Sequence, residues 1–328
     1  MKRIFLVFVP LLFLATACTE DLASLNVETK KPATIPAPTL FSSALKSLAG
    51  NLATASVNTN VFRFTTSQWA MAVYQDEAQY DFATRAIPNT WWSGMYRDVL
   101  ADYTESAKLI TADATLTAGE KANKLAIIDI MQVYTYSILV NTFGNVPYTE
   151  ALQPTNLFPK YDDAKTVHAD LMARLNSDIT KLNTSAAGFA SGEDLVYKGS
   201  ISNWLKFANT LRMKLGMIVA DENAAAAKTA VEASDAGAIS ASANNGYFTY
   251  QSASPNQNPL FADIVTGGRQ DYIAARDLMV KLAGWNDPRK TGYFSTNNAG
   301  NYAGGVVGKV NTYVDFSRAG AKVIAADA

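Results

Sequence analysis

The sequence predicts a mainly α-helical fold in which helices pack in pairs and long irregular loops connect them. Three observations support this prediction. Apolar residues recur at three- and four-residue steps in several segments, the spacing that places side chains on one face of a helix. Helix-capping and helix-stopping residues bound several of these segments. Of the 328 residues, 48% are hydrophobic and 17% are charged, which is enough to bury a substantial core.

The first residues have the pattern of a secretory signal peptide, which we predict to span residues 1–17. Lys2 and Arg3 precede an apolar run that ends in small residues. The run is too short to remain in a bilayer as a permanent helix. Cys18, the only cysteine of the chain, follows directly in a pattern that resembles a lipobox. We expect a lipid on Cys18, because no second cysteine exists to pair with it; ordinary secretion with an unmodified thiol is the alternative.

Residues 18–38 are predicted to form a lipidated tether, and residues 39–328 an α-helical domain. The tether is polar and contains several prolines. Thr39 is placed to cap the first helix of the domain. Residues 51–89 lack helical periodicity for much of their length and are predicted to be mainly loop. A helix is then expected from Asn89 or Thr90, with Trp92 in its buried stripe.

The clearest helix lies between Thr117 and Gly144. Thr117 and Glu120 fit a capping box, and Gly144 supplies a left-handed stop. Later segments predict further helices over 161–182 and 202–220, and the second continues into an Ala-rich helix. That last pair spans about 34 residues, the period of a tetratricopeptide repeat. A short strand is predicted over 247–250 and a helix over 272–282.

Composition argues against several classes of function. The formal net charge is −1, so no basic field is available to attract nucleic acid. The single histidine, His168, makes a Ser-His-Asp triad or a two-histidine metal site improbable, and we predict no cofactor and no metal. His168 lies beside an apolar stripe and is expected to be a packing residue.

Neighbouring carboxylates occur at Asp76-Glu77, 162–163 and 193–194. A glycosidase needs two carboxylates that face each other across a sugar, which adjacency in sequence does not provide. Helix-end or solvated charge is the expected role. A surface glycoside hydrolase using Asp76 or Glu77 stays open as an alternative.

One aromatic and amide-rich segment is a candidate for ligand binding. A flat aromatic ring covers the apolar face of a sugar, while amides and charged groups bond its hydroxyls. The expected contacts are Trp69, Tyr74, Gln75 and Tyr80 in one loop, with Tyr250 and Arg269 from a later irregular region. The alternative is that Trp69 and Tyr74 pack into the core. Trp285 is expected to be structural.

Six phrases follow one another along the chain: "NTWWSGMYRDVLADYTE", "YTYSILVNTFGNVPYTEAL", "YKGSISNWLKFANTLRMKLGM", "NPLFADI", "RQDYIAARDLMVKL" and "NDPRKTGYF". In this order they resemble the SusD/RagB family of nutrient-binding outer-membrane lipoproteins. The resemblance implies a SusD-like helical fold and a non-enzymatic protein that binds a glycan or another nutrient oligomer. It also implies a lipid anchor in the outer membrane, facing outward, and a TonB-dependent transporter of the SusC type as partner. Family members usually continue beyond "DPR", so we expect a C-terminally truncated domain. A helical scaffold for protein partners is a further alternative.

Overall fold

The computed structural model describes residues 35–320, so Cys18, the signal peptide and most of the tether lie outside the described residues. The helices are α1 Ala37–Ala53, α2 Phe62–Thr65, α3 Ile87–Met95, α4 Ala101–Ala112, α5 Ala118–Phe143, α6 Ala164–Lys181, α7 Ile201–Ile218, α8 Ala224–Ser234, α9 Pro259–Phe261, α10 Arg276–Gly284 and α11 Arg289–Tyr293. Two short strands, β1 Trp69–Met71 and β2 Tyr272–Ala274, form one antiparallel sheet. The predicted mainly α-helical fold is confirmed.

The larger core lies among α1, α3 to α7 and the loop that precedes α7. Helices that follow each other in sequence pack against each other: α5 on α6, α6 on α7, and α7 on α8. This is the arrangement of a helical repeat, in which each unit covers the apolar face of its neighbour. The most deeply buried side chains include Phe41, Met95, Leu100, Tyr103, Ile127, Ile130, Leu171 and Trp204.

Helix α5 has the boundaries that its sequence predicts. The Thr117 hydroxyl accepts a hydrogen bond from the Glu120 N–H at 3.3 Å, and Gly144 ends the helix with a φ of +75°. The Glu120 carboxylate pairs with Lys124 at 2.8 Å. Within the described residues, α5 alone is long and apolar enough to cross a membrane, but 56% of its apolar window is buried inside the protein. Helix α5 is therefore a core helix of the protein.

Helices α7 and α8 form the predicted repeat over residues 201–234. Gly216 permits their close approach, because a side chain there would lie 2.7 Å from the Cβ of Ala230. His168 on α6 is half-buried, and its Nε2 lies 3.1 Å from the Leu215 carbonyl oxygen. Burial lowers the pKa of His168. Its placement agrees with a packing role.

Helices α1 and α3 begin two or three residues earlier than their sequences predict. Helix α1 begins at Ala37 rather than at Thr39, with Pro38 in its first turn. Helix α3 begins at Ile87, again with a proline in its first turn. A π-turn over Tyr96–Leu100 joins α3 to α4 and inserts an extra residue into the helical register. Trp92 was expected in the buried stripe, but it is only half-buried, and its neighbour Trp91, 3% exposed, enters the core instead.

A smaller core surrounds the two strands, where local sequence patterns predicted other structures. The predicted helix over 272–282 is wrong at its start: Tyr272 opposite Met71 and Ala274 opposite Trp69 make β2, and helix begins at Arg276. The loop expected over 51–89 contains α2 and β1. The strand predicted over 247–250 is not formed. Long-range pairing decides these segments, because β1 and β2 are about 200 residues apart in sequence.

Candidate functional site

Trp69 lies in strand β1 and is 9% exposed, so most of its ring belongs to the smaller core. Its ring centre is 5.6 Å from that of Tyr272 and 6.3 Å from that of Phe64. The packing alternative therefore describes most of this side chain. One part of the ring still borders a surface cavity.

Tyr74 is 41% exposed and stands between two arginines. The guanidinium carbon of Arg85 lies 4.9 Å from the centre of the Tyr74 ring, and that of Arg269 lies 5.7 Å from it. Arg269 also lies 4.5 Å from the Tyr272 ring centre and makes a two-pronged ion pair with Asp271, at 3.0 and 2.8 Å. The ion pair with Asp271 raises the pKa of Arg269. The structure thus places Tyr74 and Arg269, two of the predicted contacts, next to each other.

The neighbouring carboxylates Asp76 and Glu77 both bind the same arginine. Arg85 contacts Asp76 at 3.0 Å and also makes an ion pair with Glu77, which is 1% exposed. One carboxylate oxygen of Glu77 finds no donor within the part of the chain that the structure describes. Two carboxylates on one guanidinium form an ion-pair cluster and do not face each other across an open space.

The other predicted contacts are not part of this ion-pair cluster. Gln75 follows Tyr74 and is half-buried, and its carbonyl accepts a hydrogen bond from the Gln79 N–H at 3.0 Å. Tyr80 is 68% exposed and packs edge-on against Phe82. Tyr250 packs edge-on against Phe248, with 4.9 Å between the ring centres, and burial raises its pKa to about 12.

A cavity of about 360 Å³ opens beside the smaller core, and we call it the Trp285 cleft. Trp69, Leu282 and Phe294 are buried at its walls. Trp285 and Tyr293 are exposed at its edge, with 69% and 47% of their surfaces accessible. The full lining is Gln68, Trp69, Leu278, Leu282, Trp285, Arg289, Tyr293, Phe294 and Gly320.

The turn between α10 and α11 positions the two exposed rings. The Asp287 carboxylate accepts a hydrogen bond from the Arg289 backbone N–H at 2.9 Å and also binds the Arg289 guanidinium. Hydrogen bonds from Arg289 lower the pKa of Asp287. Asn286 adopts a left-handed conformation with a φ of +49°. The "DPR" sequence therefore sets the positions of Trp285 before the turn and Tyr293 after it.

The Trp285 cleft has the parts that sugar recognition requires. Exposed aromatic rings provide flat apolar surface, while Gln68 and Arg289 supply hydrogen-bond donors beside it. Of the expected contacts, only Trp69 lines this cleft. Sequence reasoning did not predict that Trp285 and Tyr293 are exposed beside a cavity. One sequence signal could have predicted the exposure of Trp285: it stands at the end of a helix, next to a turn rich in Gly, Asn and Pro. A tryptophan in that position is less often buried than one inside an apolar helical stripe.

The comparisons with known proteins found one matching family model and several solved structures of similar fold. The sequence profile of the SusD-like family, described as starch-binding and associating with the outer membrane, matches residues 28–328. A solved chitin-binding protein is similar in structure, with a TM-score of 0.73, 20% identity, and coverage of 88% of this chain and 65% of that one. No curated protein sequence matches.

Two further solved structures are similar. A SusD homologue from Bacteroides uniformis has a TM-score of 0.67 and 22% identity, over 85% of this chain and 61% of that one. A chitin-binding SusD homologue from Flavobacterium johnsoniae has a TM-score of 0.69 and 20% identity, over 86% of this chain and 61% of that one. The chain thus spans 61–65% of the length of these three structures. On the match over residues 28–328, the chain belongs to the SusD-like (SusD/RagB) family.

Proposed function

We propose that this protein is a non-enzymatic carbohydrate-binding lipoprotein of the outer membrane, and that it binds glycan in the Trp285 cleft. The observation that carries the proposal is the exposure of Trp285, 69%, beside Tyr293 on a cavity of about 360 Å³. A large aromatic ring left in water on a concave surface is typical of a binding site. Membership of a family described as starch-binding supports the class of ligand.

The cleft favours a mode of binding in which sugar rings stack on aromatic rings. The C–H face of a pyranose ring covers the indole of Trp285, and its hydroxyls accept or donate hydrogen bonds at the rim. Arg289 is already paired with Asp287, so the two side chains together add almost no net charge to the cleft. Gln68 offers both a donor and an acceptor. Tyr74, Gln75, Tyr80, Tyr250 and Arg269 are proposed as further ligand contacts outside the cleft.

The proposed cellular role is delivery of bound glycan to a transporter. A lipid on Cys18 would hold the protein in the outer membrane, facing outward, and a SusC-type TonB-dependent transporter would receive the ligand. Support comes from the family description, which associates its members with the outer membrane, and from the signal-like start of the chain. Affinity purification of the detergent-solubilised protein from its own cells is expected to recover an outer-membrane barrel. Recovery of the protein alone would contradict the transporter partnership.

The ion pairs of Asp76 and Glu77 support a binding role over hydrolysis. Both carboxylates contact Arg85, so neither is positioned as one of two groups flanking a glycosidic bond. A reducing-sugar assay on a polysaccharide panel separates the two functions. We expect no product with the purified protein. Product release that disappears on Asp76→Asn or Glu77→Gln substitution would establish the hydrolase instead.

Affinity electrophoresis in gels that contain soluble glycans tests the proposed binding directly. The panel includes starch, glycol chitin, xylan and polygalacturonate. We expect at least one glycan to slow the migration of the protein, and Trp285→Ala to restore its mobility. Val280→Ala is the matched control, because Val280 is 65% exposed on α10, five residues before Trp285, and does not line the cleft. Retardation that Trp285→Ala leaves intact would remove the cleft from the proposal.

A further inference from the structure

Arg63 on α2 is a half-buried arginine held by backbone carbonyls. Its Nη1 donates a hydrogen bond to the Thr54 carbonyl at 2.7 Å, and its Nη2 lies 3.5 Å from the Leu52 carbonyl. These two contacts involve two of the five N–H groups that a guanidinium carries. The other three N–H groups of Arg63 make no hydrogen bond to the described residues, so they are available to a ligand.

Among residues 35–320, no carboxylate oxygen lies within 4.0 Å of the Arg63 guanidinium nitrogens. Burial lowers the pKa of Arg63, and the Tyr272 hydroxyl opposes this effect. A guanidinium stays charged in proteins even so. Positive charge that is partly removed from water and not neutralised by a neighbour favours an anion.

Arg63 lines a cavity of about 350 Å³, which we call the Arg63 cavity. Its mouth carries the exposed residues Phe62, Thr66 and Gln68. Trp91, also on its wall, is 3% exposed, and its indole Nε1–H has no acceptor among the described residues. Buried donors of this kind usually have a partner. Leu52, Asn60 and Ile138 complete the lining.

We propose that the Arg63 cavity binds a carboxylate of the ligand, and that this carboxylate belongs to a uronic acid unit of a glycan. A planar guanidinium matches the two oxygens of a carboxylate, and the unpartnered Trp91 N–H adds a second kind of donor. The apolar side chains around Arg63 suit the C–H surface of a sugar ring. The glycan source of the carboxylate rests on the proposed carbohydrate-binding function, whereas the anion site rests on Arg63 and Trp91 alone.

The Arg63 cavity and the Trp285 cleft lie on either side of a shared wall. Gln68 lines both of them. The guanidinium carbon of Arg63 lies 5.3 Å from the centre of the Trp69 ring, and Trp69 borders the cleft. In this proposal, one oligosaccharide places a neutral ring in the cleft and an acidic ring in the cavity. The proposed ligand class is an acidic oligosaccharide.

Calorimetric titration of the whole protein with matched pairs of sugars tests the proposal. The probes are trigalacturonate and trimannuronate, each compared with its carboxyl-reduced neutral counterpart. We expect at least one acidic trimer to bind about ten- to a hundredfold more tightly than its neutral form, the range for hydrogen bonds to a charged group. Equal affinities for acidic and neutral forms would overturn the inference while leaving the proposed glycan binding intact.

Single substitutions test whether the preference for the acidic sugar comes from the Arg63 cavity. Arg63→Gln is expected to remove the preference for the acidic form, and Trp91→Phe to reduce it severalfold while keeping an apolar ring. Arg97→Gln is the control, because Arg97 is 74% exposed and paired with Asp98. If Arg63→Gln does not fold, as judged by circular dichroism, the acidic-to-neutral ratio of Trp91→Phe decides. A preference that survives Trp91→Phe unchanged would then contradict the site.

Two further arms distinguish the source of the charge. Hexanoate tests a free carboxylate, and a sulfated galactose trimer tests another anion. We expect both to bind more weakly than the uronate trimer. If hexanoate binds as well and depends on Arg63, the uronic acid source is wrong. If the sulfated sugar binds more tightly than the uronate trimer, the assignment of a carboxylate as the bound anion is wrong. Uronate binding that is insensitive to Trp285→Ala would contradict the proposed cleft and leave the carboxylate site standing.

Discussion

The guanidinium carbon of Arg63 lies 5.3 Å from the centre of the Trp69 ring, so one cation–π contact forms the wall between two surface cavities. Trp69 also packs on Tyr272, with 5.6 Å between ring centres. Trp69 thereby contacts both helix α2 and strand β2, alongside the direct packing of Phe64 on Tyr272 with 6.1 Å between ring centres. This contact gives Trp69 a structural role in addition to its place at the edge of the Trp285 cleft.

Trp69→Ala is expected to lower the free energy of unfolding by about 3–5 kcal/mol, because it removes a large side chain that is 91% buried and leaves a cavity. Chemical denaturation followed by circular dichroism measures this change. Trp285→Ala is the matched comparison, since Trp285 is 69% exposed, and its expected change is within about 0.5 kcal/mol. Similar values for the two variants would contradict the different burial assigned to these tryptophans.

Asp194 is buried and accepts four hydrogen bonds, so its removal is expected to destabilise the helical core. The donors are the backbone N–H groups of Val196, Tyr197 and Gly199 and the indole of Trp204, at 2.8 to 3.0 Å. Asp194→Ala leaves them without an acceptor, and we expect a loss of about 3–5 kcal/mol in thermal or urea unfolding.

Glu193→Ala is the neighbouring control for Asp194. Glu193 is half-buried, and its carboxylate accepts one hydrogen bond from the Ala190 N–H at 2.8 Å. Its expected cost is about 1 kcal/mol or less. Equal losses at the two positions would show that Asp194 does not organise the loop before α7.

Asp178 is buried between α5 and α6 and gives the protein a pH-dependent stability. Burial and the neighbouring carboxylate of Asp129 raise the pKa of Asp178 to about 8, although Lys181 lies 3.1 Å from it. The folded protein therefore keeps a proton that the unfolded chain releases near pH 4. Stability from this group is fully present below about pH 4 and is lost as the pH rises towards 8.

Asp178→Asn removes this titration and tests the pH dependence. Relative to the variant, the wild-type protein is expected to lose about 3–4 kcal/mol of unfolding free energy between pH 5 and pH 8. Burial opposes the ionisation of Asp129, but Arg174 holds the pKa of Asp129 below its usual range, so Asp129 titrates outside this window. Asp221→Asn, at an exposed position, is expected to leave the pH profile unchanged. Parallel profiles for wild type and Asp178→Asn would refute the shifted pKa.

Cys18 is predicted to carry the lipid anchor. In cells fed radioactive palmitate, the unaltered protein is expected to take up label and fractionate with the outer membrane, because two or more acyl chains hold a protein there stably. Cys18→Ser is expected to remain unlabelled. An unlabelled wild-type protein in the periplasmic fraction would rule out the anchor.

Local sequence patterns predicted the large helical core because its signals are local. Thr117 and Gly144 bound α5 as predicted, and α7 with α8 forms a repeat over residues 201–234. Each feature depends on residues within one or two turns of a helix. Capping, apolar periodicity and helix length therefore carry the prediction.

The smaller core and the cleft depend on contacts that local patterns do not contain. The local sequence places Tyr272 in a predicted helix, but Tyr272 pairs as a strand residue with Met71, about 200 residues earlier in the chain. Trp285 reads as a packing residue, yet the Asp287 turn leaves it exposed. Trp69 was expected in a loop and lies in a strand. In each case tertiary contacts override local propensity.

Glycan binding in the Trp285 cleft is the central claim, and one titration tests it most directly. The double variant Trp285→Ala/Tyr293→Ala is compared with wild type against the oligosaccharide that best retards the protein in glycan gels. The predicted result is a loss of affinity of about tenfold or more, with the unfolding midpoint unchanged, because both side chains are exposed. Undiminished affinity in the double variant would contradict the claim.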